Sequence, residues 1–167
     1  MQDALLTNAL RVLSVQRGPG SPLRVAVMRA RAEEVVCLRE QVLWPGKPEM
    51  CILKEDESPG SRHFMAVVEN TPDVIGVVSL FLPTGEDGRR SQFRKLAVDA
   101  DWRNHRLGRT LIEVAIAEAR SAGAGILFCH ARLEQGGFYE VLGFRRCGEP
   151  FQKYGSGQYV TMELKLQ

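Results

Sequence analysis

The chain has no C-x-x-C pair and only three histidines. A structural zinc site needs clustered thiolates and imidazoles, so none is expected. Cys37, Cys51, Cys129 and Cys147 stand singly, which fits a reducing compartment and points to a cytoplasmic protein. No apolar run approaches the roughly 18 residues of a membrane span, so no membrane partner is expected. Charge of one sign is also missing: 22 basic residues face 20 acidic ones, for a net charge of +2. That balance argues against nucleic-acid binding by bulk charge. There is no internal repeat and no low-complexity tract.

What is present is an ordinary globular composition, 44% apolar and 25% charged over 167 residues. That length suits one domain with a real core. Leu5, Leu6, Ala9, Leu10 and Leu13 fall at helical spacing before Gly18-Pro19-Gly20-Ser21-Pro22, a clear break. Residues 1–22 are therefore expected to form an arm or extra helix, and 23–167 the domain. An amphipathic N-terminus with basic residues can also serve organelle targeting, but Asp3 and its shortness disfavour that. The oligomeric expectation is a monomer or a homodimer.

Along the domain, Leu23–Met28 reads as a strand and Ala30–Val42 as a helix that Pro45 and Pro48 stop. His63–Val68 and Val74–Phe81 read as a hairpin about Asn70-Thr71-Pro72-Asp73. Pro83–Arg90 reads as a loop. Gln92–Val98 is a strand, and a helix follows it to a C-cap at Gly123. Gly125–Cys129 is a short, buried strand. Leu133–Leu142 is a helix, and Phe144–Arg146 and Tyr159–Leu164 end the chain as strands. Helices and strands alternate around one mixed sheet, so the class is α/β or α+β with helices on both faces.

The organising stretch is Trp102-Arg103-Asn104-His105-Arg106-Leu107-Gly108-Arg109-Thr110. It joins a strand to a helix, and the first N–H groups of a helix have no partner within it. Those groups carry partial positive charge and make an anion site. Arg103, His105, Arg106 and Arg109 add charge there, and Gly108 permits close approach of the backbone. The stretch reads as a cradle for pyrophosphate. The plainer alternative is a basic turn that only serves solubility.

Two segments carry a family resemblance. Arg103-Asn104-His105-Arg106-Leu107-Gly108 resembles the acyl-CoA signature of the GCN5-related N-acetyltransferases, Arg/Gln-x-x-Gly-x-Gly/Ala. Phe138-Tyr139-Glu140-Val141-Leu142-Gly143-Phe144 is similar to a late segment of the same family. The resemblance spans about Leu23 to Leu166. It departs at Arg106, where the family has its first glycine.

The resemblance implies a mostly antiparallel mixed sheet, splayed where acyl-pantetheine lies between the strands matching Phe93–Val98 and Gly125–Cys129. Backbone groups of Leu96, Ala97 and Val98 would hold pantetheine and the thioester carbonyl. Residues Arg103 to Thr110 would hold the pyrophosphate, and Phe138 would border the cofactor. Tyr139 matches the tyrosine that protonates the departing thiolate; the alternative is a packed aromatic with a locally satisfied hydroxyl. His130 ends a central strand and can be a cofactor contact, a base or structural. Arg132 can meet the adenosine 3′-phosphate or solvent.

Acetyl-CoA is thus the expected co-substrate and a small-molecule amine the expected acceptor, with direct transfer. The acceptor site falls on roughly Arg39–Glu55 and Pro150–Tyr159, where Trp44, Phe151, Tyr154 and Tyr159 are aromatic. Arg94 and Lys95 can engage a substrate carboxylate. Glu69, Asp99, Asp101 and Glu134 are the acids in reach of the role of base, and Gln92–Val98 holds none. The alternatives are a protein lysine or N-terminus as acceptor, and a domain that binds acyl-CoA without turnover.

Overall fold

A computed structural model describes residues 7–83, 89–155 and 157–166. Its elements are β1 (Arg11–Val15), β2 (Leu23–Ala30), α1 (Ala32–Leu43), β3 (Ser61–Val68), β4 (Val74–Phe81), β5 (Arg90–Val98), α2 (Leu107–Ser121), β6 (Ile126–Arg132), α3 (Gly136–Val141), β7 (Arg145–Gln152) and β8 (Gln158–Lys165). The strands form one sheet in the order β1-β2-β3-β4-β5-β6-β8-β7. Every neighbouring pair is antiparallel except β5 and β6, which run parallel.

Helices cover both faces, as expected. α2 presents Leu107, Leu111, Ile112 and Val114 to the main core with Val78, Leu80 and Phe93. α1 presents Val35 and Leu38 to Val77 and Ala97 on the other side. Alternation along β4 divides the faces, because successive side chains point to opposite sides of a sheet. Gly76 lies under α2: a Cβ there would sit 2.9 Å from Leu111 Cδ1. The missing side chain lets the helix approach the sheet. Each buried leucine of α2 contributes about 1.5–3 kcal/mol through removal from water.

Three expectations change. Within residues 1–22, expected as an arm or extra helix, Arg11–Val15 is a strand, paired with β2 in register from Arg11↔Val27 to Val15↔Leu23. Val15 is buried, and Leu10 and Leu13 pack on the core. An open strand edge offers a row of unpaired backbone groups, and β-branched Val12 and Val15 suit that pairing better than a lone helix. The sheet thus begins upstream of the Leu23 boundary; Leu5 and Leu6 lie outside the described residues. The Leu133–Leu142 helix divides into a 3₁₀ turn at Leu133–Gln135 and α3. The strand beginning near Phe144 runs on to Gln152, its pairing broken between Cys147 and Phe151. The loop expected over Pro83–Arg90 lies mostly outside the described residues.

Candidate active site

β5 and β6 begin as partners and then separate. Arg90, Ser91 and Gln92 pair with Ile126, Leu127 and Phe128, and the ladder stops there. On its other edge β5 carries a bulge: Val77 opposes Ala97, but Ser79 opposes Arg94. Lys95 takes up the extra residue with φ 58°, a left-handed conformation that bends the strand. Beyond Gln92, β5 therefore turns a backbone edge without a β6 partner toward the gap, including Leu96, Ala97 and Val98. Ala97 directs its side chain to the α1 cluster, so its backbone is what it can offer there.

The gap is a cleft of roughly 150 Å³, lined by residues of β5 and β6 together with Trp44, Tyr139, Lys153, Tyr154 and Tyr159. One wall is Tyr139, buried among the rings of Phe93, Phe138 and Phe144, with centroids 5.9, 4.9 and 5.9 Å away. Burial, aided by the nearby Cys129 thiol, pushes the Tyr139 phenol well above its ordinary value. The hydroxyl stays protonated through the neutral range and has no hydrogen-bond partner among the described residues. That arrangement leaves it free to donate to a group entering the cleft.

His130 also lines the cleft, between the rings of Phe128 and Phe151 at 5.8 and 5.1 Å. Its Nδ1 is 3.2 Å from Lys153 Nζ. Burial, then the charges of Lys153 and Arg94, lower its pKa below 6.5. An ammonium donating to Nδ1 leaves the ring proton on Nε2, so this contact disfavours His130 as a base. The acids named as possible bases stand elsewhere: none of Glu69, Asp99, Asp101 and Glu134 lines the cleft. Glu69 faces Arg24 at 3.5 Å, and Asp99 accepts from the Asp101 N–H at 2.9 Å.

The basic turn expected to cradle phosphate lies at the start of α2. Arg103, Asn104, Arg106 and Arg109 are exposed and His105 and Gly108 partly so. Leu107 and Thr110 are buried, so neither presents its side chain at the surface. Even the Thr110 donors are committed: N–H and hydroxyl both donate to the Arg106 carbonyl at 2.9 Å. Arg109 turns along the helix to Glu113 at 2.8 Å. Asn104 and Arg106 both have φ 64°. The turn demands that left-handed conformation, which explains a glycine at the Arg106 position in the family signature; asparagine tolerates it better than arginine. Phe138 stands over the same region: a Cβ on Gly108 would lie 3.6 Å from its Cζ and 3.8 Å from Val98 Cγ2.

Behind the cleft lies a buried network that the sequence reading did not anticipate. Arg39 donates to both carboxylate oxygens of Asp56, to the Cys51 carbonyl and to Ser79 Oγ. His63 Nδ1 meets the same Ser79 hydroxyl at 2.6 Å, and its Nε2 meets the Asp56 carbonyl at 2.9 Å. These residues are scattered through a helix, a loop and two strands, so no local pattern joins them. The network fixes residues 51–56 beside the cleft, and Lys95 Nζ donates to the Met50 carbonyl at 2.8 Å just before them.

Residues 29–144, more than half of the chain, match the model of the Acetyltransferase (GNAT) family. An N-acetyltransferase of Bacillus subtilis strain 168, YitI, itself uncharacterized, is 30% identical over 140 residues, covering 81% of this chain and 92% of YitI. Escherichia coli ElaA shares the fold with TM-score 0.70 at 14% identity, covering 83% of this chain and 98% of its own. A chain of the NatC complex bound to Gag peptide and CoA superposes with TM-score 0.66 at 16% identity, over 86% of this chain and 99% of that one. The chain belongs to the GNAT acetyltransferase family and is an acetyl-CoA-dependent acetyltransferase. Among the described residues no helix is long and apolar enough to cross a membrane, and no cluster of metal ligands occurs.

Proposed function

We propose that this protein transfers an acetyl group from acetyl-CoA directly to the amine of a small molecule. The observation that carries the reading is the parting of β5 from β6 beyond Gln92, with Tyr139 lining the gap. The helix N-terminus at Arg106–Arg109 suits the pyrophosphate of CoA, since its backbone N–H groups and arginines favour negative charge. The edge of β5 from Phe93 to Val98 that β6 leaves uncovered suits the pantetheine amides and the thioester carbonyl.

The amine nitrogen forms a bond to the carbonyl carbon as the carbon–sulfur bond breaks. A β5 N–H near Leu96–Val98 stabilises charge on the carbonyl oxygen. Tyr139 gives its proton to the departing thiolate, and the proton lost by the nitrogen leaves through water to solvent. The concave cleft, closed at one side by Trp44 and Tyr154, favours a small acceptor over a protein surface. The test is a screen of amines and peptides for acetyl-CoA-dependent release of free thiol. Turnover of a small amine is expected; turnover confined to peptides would replace the acceptor, and binding of acetyl-CoA without turnover of any amine would point to a non-catalytic domain.

A further inference from the structure

The side chains lining the cleft carry charge of one sign. Arg94, Lys95, Arg132 and Lys153 line it, while no aspartate or glutamate among the described residues does. Arg94 meets Glu55, 3.6 Å away and 56% exposed, and the Tyr154 hydroxyl. Lys95 is half-buried at the bulge, its Nζ 5.4 Å from the Trp44 ring and 5.9 Å from Tyr154. Lys153 Nζ stands 4.9 Å from that same Tyr154 ring. Neither ammonium has an ion-pair partner among the described residues; Lys95 donates to a carbonyl and Lys153 to an imidazole. The proposed pyrophosphate cradle draws on Arg103, Arg106 and Arg109, none of which lines the cleft, so it does not account for Arg94, Lys95 and Lys153.

We infer that the acceptor is a primary amine bearing its own anionic group on an apolar or aromatic body. The inference rests on the acetyltransferase reading above. Withdrawing an ammonium from water is costly unless an opposite charge meets it. A concave site lined by one sign of charge also concentrates ligands of the other sign. Trp44 packs edge-on to Tyr154 at 5.2 Å, and Tyr154 on Tyr159 at 6.1 Å, which gives an apolar body a surface to lie on. A cationic acceptor such as a lysine-rich peptide meets four like charges instead. The cationic surroundings also favour the neutral form of a bound amine, the form that attacks. Arg94, Lys95 and Lys153 hold the anion; Tyr139 and the β5 backbone do the chemistry.

The experiment compares common α-amino acids with their amides and their decarboxylated amines, and adds a phosphate-bearing amino sugar and a lysine-rich peptide. Thiol release from acetyl-CoA is the readout. The best acceptor should carry a carboxylate or a phosphate, and which of the two it prefers separates those sources. Its kcat/KM should exceed that of its uncharged counterpart by about tenfold or more, as a charge-assisted contact provides. Lys153→Gln should raise KM for that acceptor by a larger factor than for the uncharged counterpart. Lys95→Gln should do the same, and the loop position of Lys153 keeps the test clear if the Lys95 variant folds poorly. An uncharged amine or the peptide serving as well as any anionic one would overturn the inference. So would no turnover of any anionic amine while acetyl-CoA still raises the melting temperature. Loss of that thermal shift itself would instead remove the underlying reading of the cleft.

Discussion

Arg39 and Asp56 form a two-pronged ion pair inside the protein, with Nη1 2.7 Å from Oδ2 and Nη2 3.0 Å from Oδ1. Their side chains are 0% and 3% exposed. Burial alone would push the Asp56 carboxyl up; hydrogen bonds from Arg39 and the Leu53 N–H outweigh it and hold the carboxyl below its ordinary value. The pair joins α1 to the loop of residues 51–56. Ser79 and His63 extend it to β4 and β3.

Asp56→Asn should therefore be among the most damaging single changes. It leaves the guanidinium of Arg39 buried without a counter-charge, at a cost of about 3–5 kcal/mol. Urea unfolding should show that loss in the midpoint with little change in slope. A loss under about 1 kcal/mol would mean that water or another group replaces the carboxylate.

Gly108→Asp separates binding from folding. A Cβ at this position makes only ordinary contacts with Phe138 and Val98. An acid in the first turn of α2 also suits the helix dipole. The unliganded variant should melt no lower than the parent. The added charge meets the CoA phosphates, so the stabilisation by acetyl-CoA, about 2.7 kcal/mol at a hundredfold excess over Kd, should disappear. A normal thermal shift in the variant would move the pyrophosphate away from Gly108.

Tyr139→Phe keeps a ring among Phe93, Phe138 and Phe144 and removes only the hydroxyl. Acetyl-CoA binding and melting temperature should hold. Turnover should fall on the order of a hundredfold, the scale of one acid catalyst. The loss should appear in kcat more than in KM, since the proton moves only as the bond breaks. Unchanged turnover would reduce Tyr139 to a packed aromatic.

His130 gives a pH signature. Its folded pKa lies below 6.5, through burial and then the charges of Lys153 and Arg94. Near and below pH 6.5 the unfolded chain then binds a proton that the folded one does not, so this group's contribution to stability falls as pH drops from neutral. Lys153→Gln removes a nearby positive charge. The imidazole followed by proton NMR should titrate at higher pH in that variant than in the parent. Equal titration midpoints would show that the 3.2 Å contact between Lys153 and His130 does not persist in solution.

Much of this was written in local pattern. The 3.6-residue spacing of Leu107, Leu111 and Ala115 specifies α2, and alternation and β-branching specify β3 and β4, because these signals act over a few neighbouring residues. The basic turn before α2 and the Phe138–Phe144 segment were legible for the same reason. β1 was not: Leu10 and Leu13 satisfy helical spacing, and only the open edge of β2 favours a strand there. Distance in the chain hid the rest. Arg39, Asp56, His63 and Ser79 form one network across 40 residues, and Lys153 reaches His130 across 23. The sequence by itself determined most of the helices and strands and the basic turn that opens α2. Tertiary structure alone decided that β5 leaves β6 at Gln92 and that four cations share one cleft with no acid among the described residues, because both depend on how distant strands pair and what their pairing leaves uncovered.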